Sequence, residues 1–580
     1  MAIYYTDEKQ TQVLIMLLKK HGIKKVIASP GATNVTFVGS IQHDPFFEIY
    51  SSVDERSAAY IACGLAAESG EPVVISCTGA TSSLNYMPGL TEAYYRKLPI
   101  LAVTSTQAVS KVGHHVAQVT DRSSLPNDVA KLSVNLPIVK DEDDLWDCEI
   151  KVNKAILELT RAGGGPVHIN LPTSYSKSYD VKELPNYRVI NRIVPTGTFP
   201  ELKNGKIAIF IGAHATFSQS QTEAIDRFCE TNNAVVFCDH TSGYKGKFRL
   251  LFALAAGQQM LDKTELRPDV LIHIGEITGD YYTFGISGKE VWRVSEDGEI
   301  RDTFRKLRYV FEMPEQTFFD YYAKTGNAQT NSYFGQCQIV LDTLRDKIPD
   351  LPFSNVWLAS KMAHRIPENS TIHFGILNSL RSWNFFDLPQ TVTSSSNVGG
   401  FGIDGGVSSL IGASLANKNK LYFGVIGDLA FFYDMNVLGN RHVGNNLRIL
   451  LVNNGVGTEF RQFNHPASQH GEDANRFIAA AGHFGNKSAA LVKHYTQELG
   501  FEYICANNQI EFEKIYERFL SPNATEKPML FEVFTNNKDE SDALETTLSI
   551  RENTNGSAKQ FAKQVLGENG KNILKKILRK

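Results

Sequence analysis

The 580-residue sequence lacks three things: an excess of charge of either sign, an apolar run of membrane-spanning length, and any CxxC pair. Lys plus Arg number 59 and Asp plus Glu 62, a formal net charge of −3. That balance points to no polyanion partner and disfavours nucleic acid. No window approaches the roughly 18 uninterrupted apolar residues of a membrane span. The N-terminal stretch MAIYYTDEKQTQVLIMLLKKHGIKK mixes acids and bases among its apolar positions, unlike a secretory signal. A soluble cytoplasmic protein with no membrane partner is the expectation. The seven cysteines are odd in number and scattered, so packed reduced thiols are expected rather than a disulfide framework or a zinc knuckle.

What is present is a recurring pattern. Strand-length apolar runs alternate with longer amphipathic segments: KKVIASPG, PVVISCTG and PILAVTS, then KIAIFIGA, AVVFCD and VLIHIG, then LYFGVIGD and LRILLVNN. Such runs, flanked on both sides by helical pattern, suit parallel sheets buried on both faces. The expected class is α/β, with three doubly wound parallel-sheet domains over 1–185, 186–335 and 336–545, separated by polar or Pro-containing joints. A basic tail over 546–580 carries a short stripe of Ile573, Leu574, Ile577 and Leu578. It reads as a solvated terminal helix or frayed tail rather than a membrane anchor.

Ligands of open parallel sheets bind beyond the carboxyl ends of the strands. There the segment GDLAFFYDMNVLGNRHVGNNLRILLVNNGVGTEF, Gly427 to Phe460, places Asp428 after one run and Asn453-Asn454 after the next. Adjacent parallel strands would bring Asp428 and Asn454 together at one sheet edge. A carboxylate, an amide oxygen and a nearby backbone carbonyl form an all-oxygen donor set suited to Mg²⁺ beside a phosphate. The alternative is a helix cap followed by an ordinary turn. Near the other end, IYSSVDERSAAYIACGLAAESG puts Glu55 at the start of a small-residue helix, a poorly solvated place for an acid.

These segments resemble the thiamine-diphosphate (ThDP) enzymes. The stretches SPG at 29–31, DERSA at 54–58, RPDVLIHIG at 267–275, NSL at 378–380, GIDGG at 402–406 and GDLAFFYDMN at 427–436 are most similar to the menaquinone-pathway synthase branch, which joins 2-oxoglutarate to isochorismate. The resemblance implies a pyrimidine-binding first domain, a middle domain without flavin, and a third domain binding diphosphate and metal. It implies that Glu55 activates the cofactor, that Asp428, Asn454 and the Val456 carbonyl hold Mg²⁺, and that Gly427, Leu429 and Ala430, with Asn378 and Ser379, surround the diphosphate. Ile403 would prop the cofactor in a bent form. Gln118 would face substrate or be a loop glutamine, and His114 and His115 would be proton relays or surface residues. The implied assembly is a homodimer or homotetramer with shared active sites.

The same resemblance implies decarboxylation of a 2-oxo acid, with transfer of the acyl carbanion to an acceptor carbonyl or release as aldehyde. Three positions depart from the branch. Its substrate arginines correspond here to Thr33, Val398 and Trp383. Carboxylates in a dry site need paired cations, preferably Arg. Arg381 and Arg461 are the cations nearest the cofactor motifs, or surface arginines. A small donor such as pyruvate is therefore expected, the alternatives being the menaquinone-pathway synthase proper or a flavin- or nucleotide-binding oxidoreductase.

Overall fold

The computed structural model describes residues 4–326, 332–482 and 488–550. Most of the basic tail, 551–580, lies outside the described residues. The described chain forms two compact units, one of 4–197 with 298–312 and the other of 198–297 with 313–550.

In the first unit, strands β1 (Lys25–Ala28), β2 (Glu48–Ser51), β3 (Val73–Thr78), β4 (Ile100–Thr106), β5 (Leu132–Asn135) and β6 (Val167–Pro172) form a sheet in the order β2-β1-β3-β4-β6-β5. Every residue of β3, β4 and β6 is buried, which is what a strand covered on both faces requires. Outside this sheet, β7 (Asn191–Ile193) belongs to the same unit.

The helix Glu55–Ser69 starts on Asp54, whose carboxylate accepts the Arg56 N–H, and stops at Gly70, which adopts φ 67°. Its buried stripe is Ala58, Ala59, Ala62, Cys63 and Ala66. Those small side chains admit the helix Met87–Tyr95 so closely that a Cβ on Gly89 would stand 2.5 Å from the Ala59 methyl.

The second unit carries most of the middle sheet: β8 (Ile207–Ile211), β9 (Ala234–Cys238), β10 (Arg249–Leu251), β11 (Val270–Ile274) and β12 (Glu290–Ser295), in the order β10-β9-β8-β11-β12. Strand β13 (Leu307–Glu312) pairs with β7, both in the first unit. The third sheet comprises β14 (Thr371–Phe374), β15 (Thr393–Ser396), β16 (Tyr422–Gly427), β17 (Leu447–Asn453), β18 (Glu502–Ala506) and β19 (Met529–Phe534), ordered β15-β14-β16-β17-β19-β18. Its strands pair in parallel, and the winding reverses between β14 and β16. A crevice outside the strand ends is expected at such a reversal. The expected α/β class with three parallel sheets is thus present. Among the described residues no helix is long and apolar enough to cross a membrane.

Candidate functional site

The crevice is there. β16 ends at Gly427 and a short helix, Asp428–Asp434, starts at the next residue. β17 lies alongside, with Gly427 opposite Val452, and delivers Asn453 and Asn454 to the same edge. The loop after β14 supplies Asn378 and Ser379, which open the helix Asn378–Trp383. A cleft of about 170 Å³ is lined by Asn378, Ser379, Ile403, Gly427, Asp428, Leu429 and Ala430, and from the β17 side by Asn454 and Val456. The nine residues come from separate motifs, and the fold brings them together.

Asp428 is only 5% exposed. One carboxylate oxygen accepts the Leu429 N–H at 2.8 Å and the other the Gly455 N–H at 2.7 Å. Burial pushes its pKa up to about 6; the amides of Gly455 and Leu429 oppose that rise and the Glu540 charge adds to it. Half-buried Asn454 accepts the Val456 N–H through Oδ1 at 3.3 Å, and the Val456 carbonyl receives the Thr458 hydroxyl at 3.4 Å. No cluster of three His, Cys, Asp or Glu side chains fit to hold a metal exists among the described residues. The oxygen set at Asp428 is of another kind: one carboxylate, one amide and one carbonyl, which suits a hard cation that keeps other ligands from water and phosphate. A Cβ on Gly427 would meet nothing within 4 Å, so the backbone is bare where it borders the cleft. Leu377, just before Asn378, sits at φ 63°, a strained conformation for a side-chain-bearing residue and one that concentrates at functional sites.

A polar network beneath the cleft was not expected from the sequence. Glu540, 1% exposed, accepts the Asn355 N–H at 3.1 Å, the Asn378 amide at 3.2 Å and the Thr535 hydroxyl at 2.7 Å. Gln462 donates to the Asn378 oxygen at 3.2 Å, so both ends of that amide are fixed. Asn355 reaches the Ser379 hydroxyl at 3.3 Å and receives the Trp383 indole N–H at 3.1 Å. Behind Asn453, Glu532 accepts its amide at 2.7 Å and the Tyr503 hydroxyl at 2.8 Å. Burial raises the pKa of both glutamates.

The remaining expected residues are placed differently. Glu55 opens its helix as expected but is half-buried rather than enclosed, and accepts the Asn85 amide at 3.3 Å. His114, His115 and Gln118 lie exposed on the loop after β4, with His115 at φ 54° and Gln118 at φ 61°. Thr33 is fully buried and donates its hydroxyl to the Ser105 carbonyl at 2.5 Å. Val398 and Trp383 are buried apolar side chains. Arg381 forms a two-pronged pair with Glu459 at 2.6 and 2.9 Å. Arg461 binds Glu472 at 3.0 Å, while its Nε and Nη1 are buried without a hydrogen-bond partner.

The family model "Thiamine pyrophosphate enzyme, N-terminal TPP binding domain" matches residues 9–125. The chain is 32% identical over 554 residues to the 2-succinyl-5-enolpyruvyl-6-hydroxy-3-cyclohexene-1-carboxylate synthase of Bacteroides thetaiotaomicron, covering 92% of this chain and 97% of that one. The protein of that name from Phocaeicola vulgatus is 30% identical over 561 residues, covering 93% and 98%. Among solved structures, a Rhodococcus jostii RHA1 thiamine diphosphate-dependent 4-hydroxybenzoylformate decarboxylase aligns with 17% identity and a TM-score of 0.40, covering 91% of this chain and 99% of that one. The chain is a ThDP-dependent enzyme. It belongs to the family of the 2-succinyl-5-enolpyruvyl-6-hydroxy-3-cyclohexene-1-carboxylate synthases.

Proposed function

We propose that the protein decarboxylates a 2-oxo acid and transfers the retained acyl unit to a second substrate. The observation that carries this reading is the cleft at the β14/β16 reversal, where Asp428, Asn454 and Val456 meet the loop of Asn378 and Ser379. The relatives' shared name favours synthesis of 2-succinyl-5-enolpyruvyl-6-hydroxy-3-cyclohexene-1-carboxylate over the pyruvate-class donor expected from the sequence.

Asp428, Asn454 and the Val456 carbonyl would hold Mg²⁺, with the backbone of Gly427 and Ala430 and the Ser379 hydroxyl around the diphosphate. Bound ThDP supplies an electron sink for the carbanion left by decarboxylation. Ile403 would fix the cofactor's bend from the cleft wall. Glu55 would hold a proton at the pyrimidine ring nitrogen, and that role requires it to be better shielded than it is in one chain. Val53, Tyr60 and Ile61, exposed around Glu55, support burial of this surface against a second copy in a homodimer or homotetramer. Gln118, His114 and His115 are proposed substrate-facing groups of the same assembly. No flavin is proposed, and a visible spectrum of the purified protein tests that.

A specific observation favours a second reading, with smaller and less anionic substrates. The three arginine positions hold Thr33, Val398 and Trp383, and Arg381 is committed to Glu459. Arg461 retains two unpartnered donors, enough for one carboxylate. An unpaired buried carboxylate costs several kcal/mol. Incubation with 2-oxoglutarate and isochorismate, and separately with pyruvate and aldehydes, decides between them. Formation of the succinyl-cyclohexene product establishes the family activity. CO₂ release from pyruvate alone establishes the second reading, and release from neither overturns both.

A further inference from the structure

A second polar pocket, of about 160 Å³, lies where the loop after β9 meets the segment leading into β15, within the second unit. It shares no lining residue with the cofactor cleft. His240, Ser242, Lys245 and Arg249 line one side and Gln390 and Ser394 the other. The loop is firmly held: the His240 N–H donates to the Asn384 oxygen at 3.0 Å, and the Ser394 hydroxyl donates to the His240 carbonyl at 2.5 Å.

The charges here do not balance. Arg249 and Arg345 share one carboxylate, Asp387, at 3.1 and 2.6 Å. Lys245 has no carboxylate within ion-pair distance among the described residues, and its Nζ is buried without a hydrogen-bond partner. Arg249 Nε, with the side chain 10% exposed, is likewise buried and unpartnered; Arg345, outside the lining, takes part of the Asp387 charge away from Arg249. The acid on the lining, Asp239, is committed elsewhere. It accepts the Thr241 N–H and hydroxyl at 2.7 and 2.6 Å through one oxygen, and the Thr278 hydroxyl and Gly279 N–H at 2.6 and 3.2 Å through the other. His240 adds no charge: its Nε2–H faces the Trp383 and Phe386 carbonyls, and burial with the nearby Arg249 and Lys245 cations pushes its pKa down to about 3. Burial, then Arg249, lowers Lys245 to about 8.

Buried charged donors are costly unless something accepts their hydrogen bonds, and native proteins leave few of them unmet. Two such nitrogens, Lys245 Nζ and Arg249 Nε, on two cations of one pocket lining call for an acceptor that is anionic and rich in oxygen. Metal ions are excluded by the same charges. The volume suits one tetrahedral oxyanion with a short substituent and is small beside the usual ligand cavity.

We propose that this pocket binds a small oxyanion of the phosphate class, as free phosphate or as the phosphate group of a phosphomonoester, with Lys245 and Arg249 as its cationic contacts. The site lies at the opposite end of the helix Asn378–Trp383 from the cofactor cleft: Asn378 lines the cleft, and the Trp383 carbonyl meets the His240 ring.

The test is calorimetric titration of the protein, saturated with ThDP and Mg²⁺ so that phosphate cannot occupy the cofactor cleft. Inorganic phosphate is used in one arm and glycerol phosphate in the other, each with wild type and Lys245→Met. The expected result is saturable binding at one site per chain, weakened about tenfold or more by the substitution, as loss of a charged hydrogen bond implies. In phosphate-free buffer Lys245→Met should unfold at the same temperature as wild type or higher, because the ammonium it removes has no internal partner. Tighter binding of the ester assigns the site to a phosphomonoester, and tighter binding of inorganic phosphate to the free anion. Absence of saturable binding in wild type, equal affinity in the variant, or a lower unfolding temperature of the phosphate-free variant overturns the proposal.

Discussion

Asp428 and Glu55 are the two acids on which the cofactor reading depends, and the fold treats them differently. Asp428 is sealed at a strand end, held by two backbone amides, and its carboxylate is destabilised by burial. Glu55 sits at a helix start with one long hydrogen bond to Asn85 and exposed apolar neighbours. The proposed metal end of the site is preorganised within one chain. The proton-handling role proposed for Glu55 would need low-dielectric surroundings that a covering partner would supply, so the proposed chemistry is tied to the proposed assembly.

The largest effect that would sharpen this contrast is in turnover. Glu55→Gln should leave folding and cofactor binding near normal and reduce kcat by about 10² to 10⁴, the usual cost of one well-placed acid–base group. Near-normal kcat in this variant would detach Glu55 from the chemistry.

The next effect is in stability. Glu540→Ala strands the Asn355 N–H, the Asn378 amide and the Thr535 hydroxyl, and should cost about 3 kcal/mol in denaturant unfolding, with weaker ThDP binding through the released Asn378. Unchanged stability would show that the network beneath the cleft is incidental.

An effect no larger than that follows from the raised pKa of Asp428. The folded value of about 6 exceeds the ordinary 3.8, so the fold favours the protonated form. Its contribution to stability is present below pH 4 and lost as pH rises through 6. In metal-free protein the stability of wild type relative to Asp428→Asn should therefore fall by up to about 3 kcal/mol between pH 4 and pH 7.5, on top of a constant offset from the Asn NH2 that faces one of the two backbone N–H groups. Unfolding curves across that range check it. His168 and His373, whose burial lowers their pKa to about 4, lose stability in the opposite direction below about pH 6.5 but do so equally in both proteins.

Much of this was legible in the sequence because buried parallel strands write continuous apolar runs: each of the eight quoted runs is a strand. The convergence of Asp428 and Asn454 followed from the same logic, since both close adjacent runs. Edge strands left less trace. β15 is TSSS, half-exposed and without an apolar residue, and β2 is EIYS. Glu532 carried a visible signal, an acid inside the run MLFEVF, whereas Glu540 lies in NKDESDALETTL, whose acids read as a solvated helix face. The Arg381–Glu459 pair is long-range, and neither local segment announces it. The partial exposure of Glu55 was missed because a small-residue helix signals close packing on one face only and leaves the environment of its first turn undetermined.

In the proposed function the β14/β16 crevice holds ThDP through a metal anchored on Asp428. Calorimetric titration of ThDP into wild type and Asp428→Ala, with and without Mg²⁺, tests it most directly. Tight binding is expected only for wild type with Mg²⁺, and weak, metal-independent binding for the variant. Equal metal-dependent affinity in the two proteins would contradict it and move the cofactor elsewhere.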